Sequence, residues 1–188
     1  MTQEALKVFL VAGFLTTLAF SHLEQAFSLF LQIQLSLSTK ESAYKAGILL
    51  LSMGCVGVVV QGGLIKTLSS RFGEKKLLFY GVLINTLALP FFAQSSSFLS
   101  FLISGIPLAV GTALINPSVA SLVSKSSPAD KLGETFGVVQ GLSSLARVIG
   151  PFSGLAAFGL WSVLPFVIGA SIYAALLVYL LFRLRLNS

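Results

Sequence analysis

One cysteine, one histidine and six carboxylates are all that 188 residues supply of the groups that most often carry chemistry. The lone Cys55 has no partner for an internal disulfide. His22 and Glu24 have no second cluster of His, Cys or Asp to complete a metal site, so neither a metal nor another cofactor is implied. An enzyme needs a nucleophile, a base and an orienting group together, and His22 and Glu24, the nearest approach, fall on different helix faces. The scarcity of charge excludes still more. With 10% charged and 55% hydrophobic residues, the chain has too little polar surface to cover a water-soluble globule. Its net charge of +6 does not point to nucleic acid, because the basic residues cluster at the ends of apolar segments rather than on a soluble stripe. The solvent is therefore a lipid bilayer.

Six apolar segments, near residues 8–33, 46–65, 77–94, 98–123, 135–158 and 163–182, are each close to the ~20 residues needed to cross hydrocarbon as a helix. Runs such as 46–60 are apolar on every side, unlike the ~10-residue alternating strands of a barrel. The first segment is too long for a signal peptide and contains His22 and Glu24. The expected architecture is an all-α integral membrane protein, a single six-helix domain over 1–188. Six spans place both termini on one side with the second and fourth connections. That side holds Lys7, Lys66, Arg71, Lys75, Lys76, Lys125, Lys131, Arg183 and Arg185, against Lys40 and Lys45 opposite. Basic residues favour the cytoplasmic side, so both termini are expected in the cytoplasm. Trp161 falls in the short outer turn between the last two spans and suits the interface.

Two charges remain deep in apolar segments, Glu24 in the first and Arg147 in the fifth. Each costs ~2.5 kcal/mol or more to insert there, so each should face protein or a water-filled cavity. At 1.5 Å per residue they lie ~24 Å and ~18 Å from the cytoplasmic starts of their helices, similar depths that also permit pairing with each other as pure scaffold. At 100° per residue, Gly13, Thr17, Ser21, Glu24 and Ser28 form one stripe; Gln140, Ser143, Arg147, Pro151 and Gly154 form another; Gly105, Ala109, Thr112, Asn116 and Ala120 form a third. Thr17, Ser21, Glu24, Asn116, Gln140 and Arg147 are thus candidates to line a polar passage. His22 points off its stripe and reads as a packed histidine bonded to a neighbouring helix. Glycines four apart, at 133, 137 and 141 and again at 150 and 154, let another backbone approach the fifth helix, and the second helix is also glycine-rich at 47, 54, 57, 62 and 63.

The connection over 63–76 reads as a tight basic loop in which Gly73 can take φ > 0. Its order, with Gly63, Arg71, Gly73, Lys75 and Lys76, resembles the loop motif of the major facilitator superfamily, although Ser70 stands where the stronger form of the motif has an acid and Lys66 where it has a glycine. The run from Gly133 through Arg147 to Gly150, Pro151 and Gly154 resembles that family's eleventh helix. Residues 24–30, with Glu24 ahead of Phe27 and Phe30, resemble its seventh.

The resemblance is to the second half of drug-proton antiporters of the tetracycline and multidrug efflux kind. It implies half of a twelve-helix transporter, built as two three-helix inverted repeats, that exports small molecules in exchange for protons; Glu24, by its depth in the membrane, is the candidate to take up and release the coupling proton. Its implied partners are a small-molecule substrate, protons, the inner-membrane lipid and a second six-helix half: a separate chain, a missing part of the same chain, or another copy. On that view the glycine faces of the second and fifth helices would meet lipid if the half stood alone. The alternative is a non-transporting membrane fragment or scaffold.

Overall fold

The computed structural model describes residues 3–184, so Arg185, counted above among the basic residues, lies outside it. Eight α-helices and no strand occur among the described residues. The first apolar segment forms α1 (Gln3–Glu24) and α2 (Ala26–Gln34), interrupted at Gln25. A single uninterrupted helix over 8–33 was the expectation. The second segment forms α3 (Thr39–Val59), a π-helical turn (Val60–Leu64) and α4 (Ile65–Phe72), which run on as one 34-residue helix. The expected loop at 63–76 is therefore mostly helix. Gly62 and Gly63 are absorbed as a π turn, which widens the helix without ending it. The chain actually reverses at Gly73, whose φ of 79° is the one positive φ at a glycine among the described residues.

The remaining helices are α5 (Glu74–Ala93), α6 (Phe98–Ser126), α7 (Leu132–Leu160) and α8 (Leu164–Leu184). Side-chain caps fix two of their starts. Ser38 and Glu41 form a capping box at α3, and Ser97 and Ser100 form one at α6, each satisfying backbone N–H groups that a helix start leaves unpaired. By length and composition, five helices among the described residues qualify to cross a membrane: α1, the α3–α4 rod, α5, α6 and α8. The sixth expected span, α7, matches α6 in length at 29 residues but carries Glu134, Gln140 and Arg147, and it packs along α1 with much of its surface exposed.

The two ends of the bundle differ. At the lysine-poor end five phenylalanines from four helices lock together. Phe166 of α8 lies 4.4 Å from Phe30 and 5.6 Å from Phe92 between ring centroids, and Phe101 lies 5.1 Å from Phe92. Phe27 completes the group 5.2 Å from Phe92. Each such pair is worth ~0.5–1.5 kcal/mol beyond its buried area. At the lysine-rich end Lys125 of α6 is ion-paired with Glu74 of α5, and Ser121 donates a further hydrogen bond to the same carboxylate oxygen at 3.2 Å.

Between these ends the helices meet through small residues. A methyl built on Gly81 would stand 2.8 Å from the carbonyl oxygen of Gly111, so α5 and α6 touch backbone to backbone. Asn85 of α5 fills the next layer. It is buried and donates to Thr112 Oγ1 at 3.3 Å, while its own Oδ1 has no partner.

Candidate functional site

The second close crossing in the bundle, α1 against α7, builds the site. A methyl on Gly154 would sit 2.1 Å from the carbonyl oxygen of His22, and one on Gly150 would sit 2.6 Å from the Ser21 Cβ. Only residues without a side chain allow this approach. Here the imidazole of His22, 2% exposed, meets Ser153 of α7, with Nδ1 and the serine Oγ 2.9 Å apart. The sequence expectation of a packed histidine bonded to a neighbouring helix matches this placement.

With the crossing set at residues 21–22, the next polar residues along each helix turn toward a shared space. A cavity of about 490 Å³ lies between α1, α6 and α7, with Tyr173 of α8 at its back. Gly13, Thr17, Ser21 and Glu24 line it from α1; Thr112, Asn116 and Ala120 from α6; Ser143 and Arg147 from α7. Three stripes read from helical periodicity thus converge on one cavity.

Not every member of the stripes arrives there. Ser28 lies past the interruption at Gln25, where it approaches Ser42 of α3 at 3.5 Å. Gly105 packs against Leu49 of α3, and Gly154 is spent on the α1 crossing. Gln140 is exposed on α7 and is not part of the cavity wall. Pro151 stands half-buried between the two glycines of the crossing.

Glu24 and Arg147 line the same cavity, yet among the described residues neither makes a salt bridge or a side-chain hydrogen bond. Both are exposed, as is Asn116. The cavity therefore offers one free carboxylate, one free guanidinium, an amide and several hydroxyls to whatever enters. That set suits a molecule with a charged or hydrogen-bonding group, and Glu24 is the one carboxylate on the wall.

Residues that periodicity did not single out complete the wall. Phe20, Phe136 and Tyr173 bring aromatic surface, and Asn85 stands behind Thr112. The loop-motif residues lie elsewhere. Gly63 sits in the π turn, Arg71 stacks over Phe72 with its guanidinium carbon 5.7 Å from the ring centroid, and Lys75 and Lys76 open α5.

The glycines divide into two groups. Gly133, Gly137 and Gly141 of α7 and Gly47, Gly54 and Gly57 of α3 would meet nothing within 4 Å if given a methyl. The close backbone approach expected along the whole of the fifth helix occurs within this chain at Gly150 and Gly154 alone. The earlier glycines leave α3 and α7 with flat, unpartnered faces.

The family profile of the Major Facilitator Superfamily matches residues 9–187. The chain belongs to this superfamily. A multi-drug resistance efflux pump PmrA homolog from Lactococcus lactis subsp. lactis (strain IL1403) is 26% identical over 164 residues, covering 87% of this chain and 40% of that relative. The chain thus spans about two fifths of the relative's length. Membership makes the chain a multi-pass membrane protein of a transporter family.

Proposed function

We propose that this chain is one half of a proton-coupled exporter of small molecules, working with a second six-helix half in the inner membrane, both termini in the cytoplasm. The observation that carries the reading is the convergence of Glu24, Arg147, Thr17, Ser21 and Asn116 on one cavity, with both charges unpaired. Ionisable groups inside a membrane are costly, and where they face a cavity they mark a pathway. The unpartnered glycine face of α7, at Gly133, Gly137 and Gly141, supports a missing wall, since close helix packing is the use to which such faces are put. A relative that is more than twice the length of the matched region points the same way. The basic bias toward the end that carries Gly73 supports the orientation.

In this reading the two halves rock about the cavity and expose it to each side in turn. Glu24 takes up the coupling proton, Arg147 and Asn116 hold the polar part of the substrate, and the tight crossing at Gly150 and Gly154 keeps α1 and α7 moving as one body. Export, rather than import, rests on the likeness to the Lactococcus lactis efflux pump homolog.

The test is exchange in everted membrane vesicles containing this chain with its complementary half, using a fluorescent amphipathic cation and an imposed pH gradient. Glu24→Gln is expected to abolish pH-driven accumulation while downhill exchange of the dye persists. Unchanged pH-driven accumulation in that variant would refute coupling at Glu24. No dye movement by the wild-type assembly would favour a non-transporting scaffold.

A further inference from the structure

A second cavity adjoins the first. It occupies about 330 Å³ between α1, α3 and α6, and Leu50, Met53, Val58 and Ala109 line it together with Gly54 and Gly57. Apart from Gln61 and Thr112 its wall is apolar or glycine. Gly54 and Gly57 have nothing within 4 Å of the position a methyl would take, so the α3 side of the space is flat and open. Two residues, Phe20 of α1 and Thr112 of α6, belong to the walls of both cavities.

The same two residues also bound an enclosed space of about 10 Å³, together with Leu23, Met53, Asn85 and Tyr173. Behind the shared wall, therefore, the interior is packed. Thr112 is held from that side by the Asn85 amide at 3.3 Å. Phe20 is half-buried, with a packed base beneath and open space to either side.

Taking the exporter reading above as its basis, we infer that Phe20 and Thr112 are a partition dividing one substrate site into a polar and an apolar compartment. The substrate class is an amphipathic molecule. Its charged or hydrogen-bonding end lies between Glu24 and Arg147, and its hydrocarbon or aromatic body passes the Phe20 ring to rest against Met53, Val58 and the glycines of α3. Pockets that take drug-sized ligands run from ~300 to ~1,000 Å³ and combine mostly apolar walls with a few placed polar groups. The second cavity lacks charged groups, whereas the first carries both Glu24 and Arg147; joined past Phe20 they set a charged end and a glycine-floored apolar end in one site. The size of the side chain at position 20 then sets how large an apolar body can be accommodated alongside a given head. Thr112 is a fixed edge because its hydroxyl is already engaged.

The test uses the complete transporter and two acridinium dyes that share one cationic head, one N-methyl and one N-octyl, with export of each measured in cells that carry wild-type or variant protein at equal membrane abundance. Phe20→Ala is expected to raise export of the octyl dye relative to the methyl dye by about fivefold, within the range that pocket shape alone supplies. Phe20→Trp is expected to lower that ratio. Should Phe20→Ala fail to reach the membrane, Phe20→Leu, which removes the ring and keeps most of the bulk, is read in its place and should move the ratio in the same direction. A ratio unchanged in both directions, or export of both dyes lost in proportion, overturns the partition and leaves Phe20 as a packing residue. Absence of export of either dye by the wild type overturns instead the exporter reading on which the partition rests.

Discussion

Replacing Gly154 by alanine probes the crossing that brings Glu24 and Arg147 to one cavity. The added methyl would stand 2.1 Å from the His22 carbonyl oxygen, 3.0 Å from its carbon and 3.3 Å from its Cα. All three are backbone atoms inside a helix, so no side chain can swing away. Relief to the shortest ordinary contact, 3.4 Å, requires α7 to move off α1 by about 1.3 Å. Forcing one methyl into a packed contact costs ~1–3 kcal/mol. Against this, alanine is better than glycine in a helix interior by up to ~1 kcal/mol.

The second term is isolated by Gly141→Ala on the same helix, where nothing lies within 4 Å. In detergent, thermal unfolding followed by loss of monodisperse protein should place Gly154→Ala below Gly141→Ala by the full overpacking cost. That amounts to roughly 2–4 °C per kcal/mol for a chain of this size. Gly141→Ala should match or slightly exceed the wild type. Equal melting of the two alanine variants would show that α1 and α7 do not pack at Gly154, and with it would go the explanation for the shared cavity.

Three further outcomes follow from the same packing. Thr112→Val removes the acceptor of the Asn85 amide and leaves both polar atoms of that buried side chain unpaired, since Oδ1 already lacks a partner; a loss of ~1–3 kcal/mol is expected in the same melting assay. Phe166→Ala empties the centre of the phenylalanine group and should lower melting more than Phe182→Ala, whose ring is 82% exposed, because lost packing rather than lost burial from water is the penalty inside a bilayer. Glu24→Gln should melt no lower than the wild type, because among the described residues the carboxylate holds no salt bridge or side-chain hydrogen bond; a clear drop in melting temperature would reveal a structural contact at Glu24.

The three polar stripes were legible because helical geometry is rigid. Residues spaced by three and four share a face in any α-helix, and lipid gives no reason for Thr17, Ser21 and Glu24, or Thr112 and Asn116, to align. The interruption at Gln25 was not legible, since neither glycine nor proline marks it and the neighbours Glu24 and Ala26 are ordinary helix residues. The extension of the second span through residues 60–72 was hidden for the opposite reason. Two adjacent glycines and a basic run read as a loop, whereas the backbone takes up Gly62 and Gly63 in a π turn and delays reversal to Gly73. Equal spacing also failed to separate glycines in contact from glycines in the open. Gly150 and Gly154 meet α1 while Gly133, Gly137 and Gly141 meet nothing, a difference that depends on where a second helix passes. Phe20 and Tyr173 escaped notice because an aromatic residue in a membrane helix carries no sign of whether it faces a cavity, lipid or core. Asn85 did carry a signal, as a lone amide in an apolar run.

Glu24 and Arg147 distinguish the pathway reading from the scaffold reading by the bonds they lack. A pair kept to hold helices together gains only when the two charges meet and their remaining hydrogen-bonding capacity is satisfied, because the cost of taking each from water is otherwise uncompensated. Here the two line one cavity from α1 and α7, and among the described residues neither has a salt bridge or side-chain hydrogen bond. By contrast, the polar groups that do fasten helices in this bundle are engaged: Ser153 on His22, Thr112 on Asn85, Lys125 and Ser121 on Glu74. At these crossings single buried atoms, His22 Nε2 and Asn85 Oδ1, are also left without partners among the described residues, but the unpaired full charges fall together on the one cavity, at Glu24 and Arg147, and local rules of stability are broken where a protein has another use for the residue.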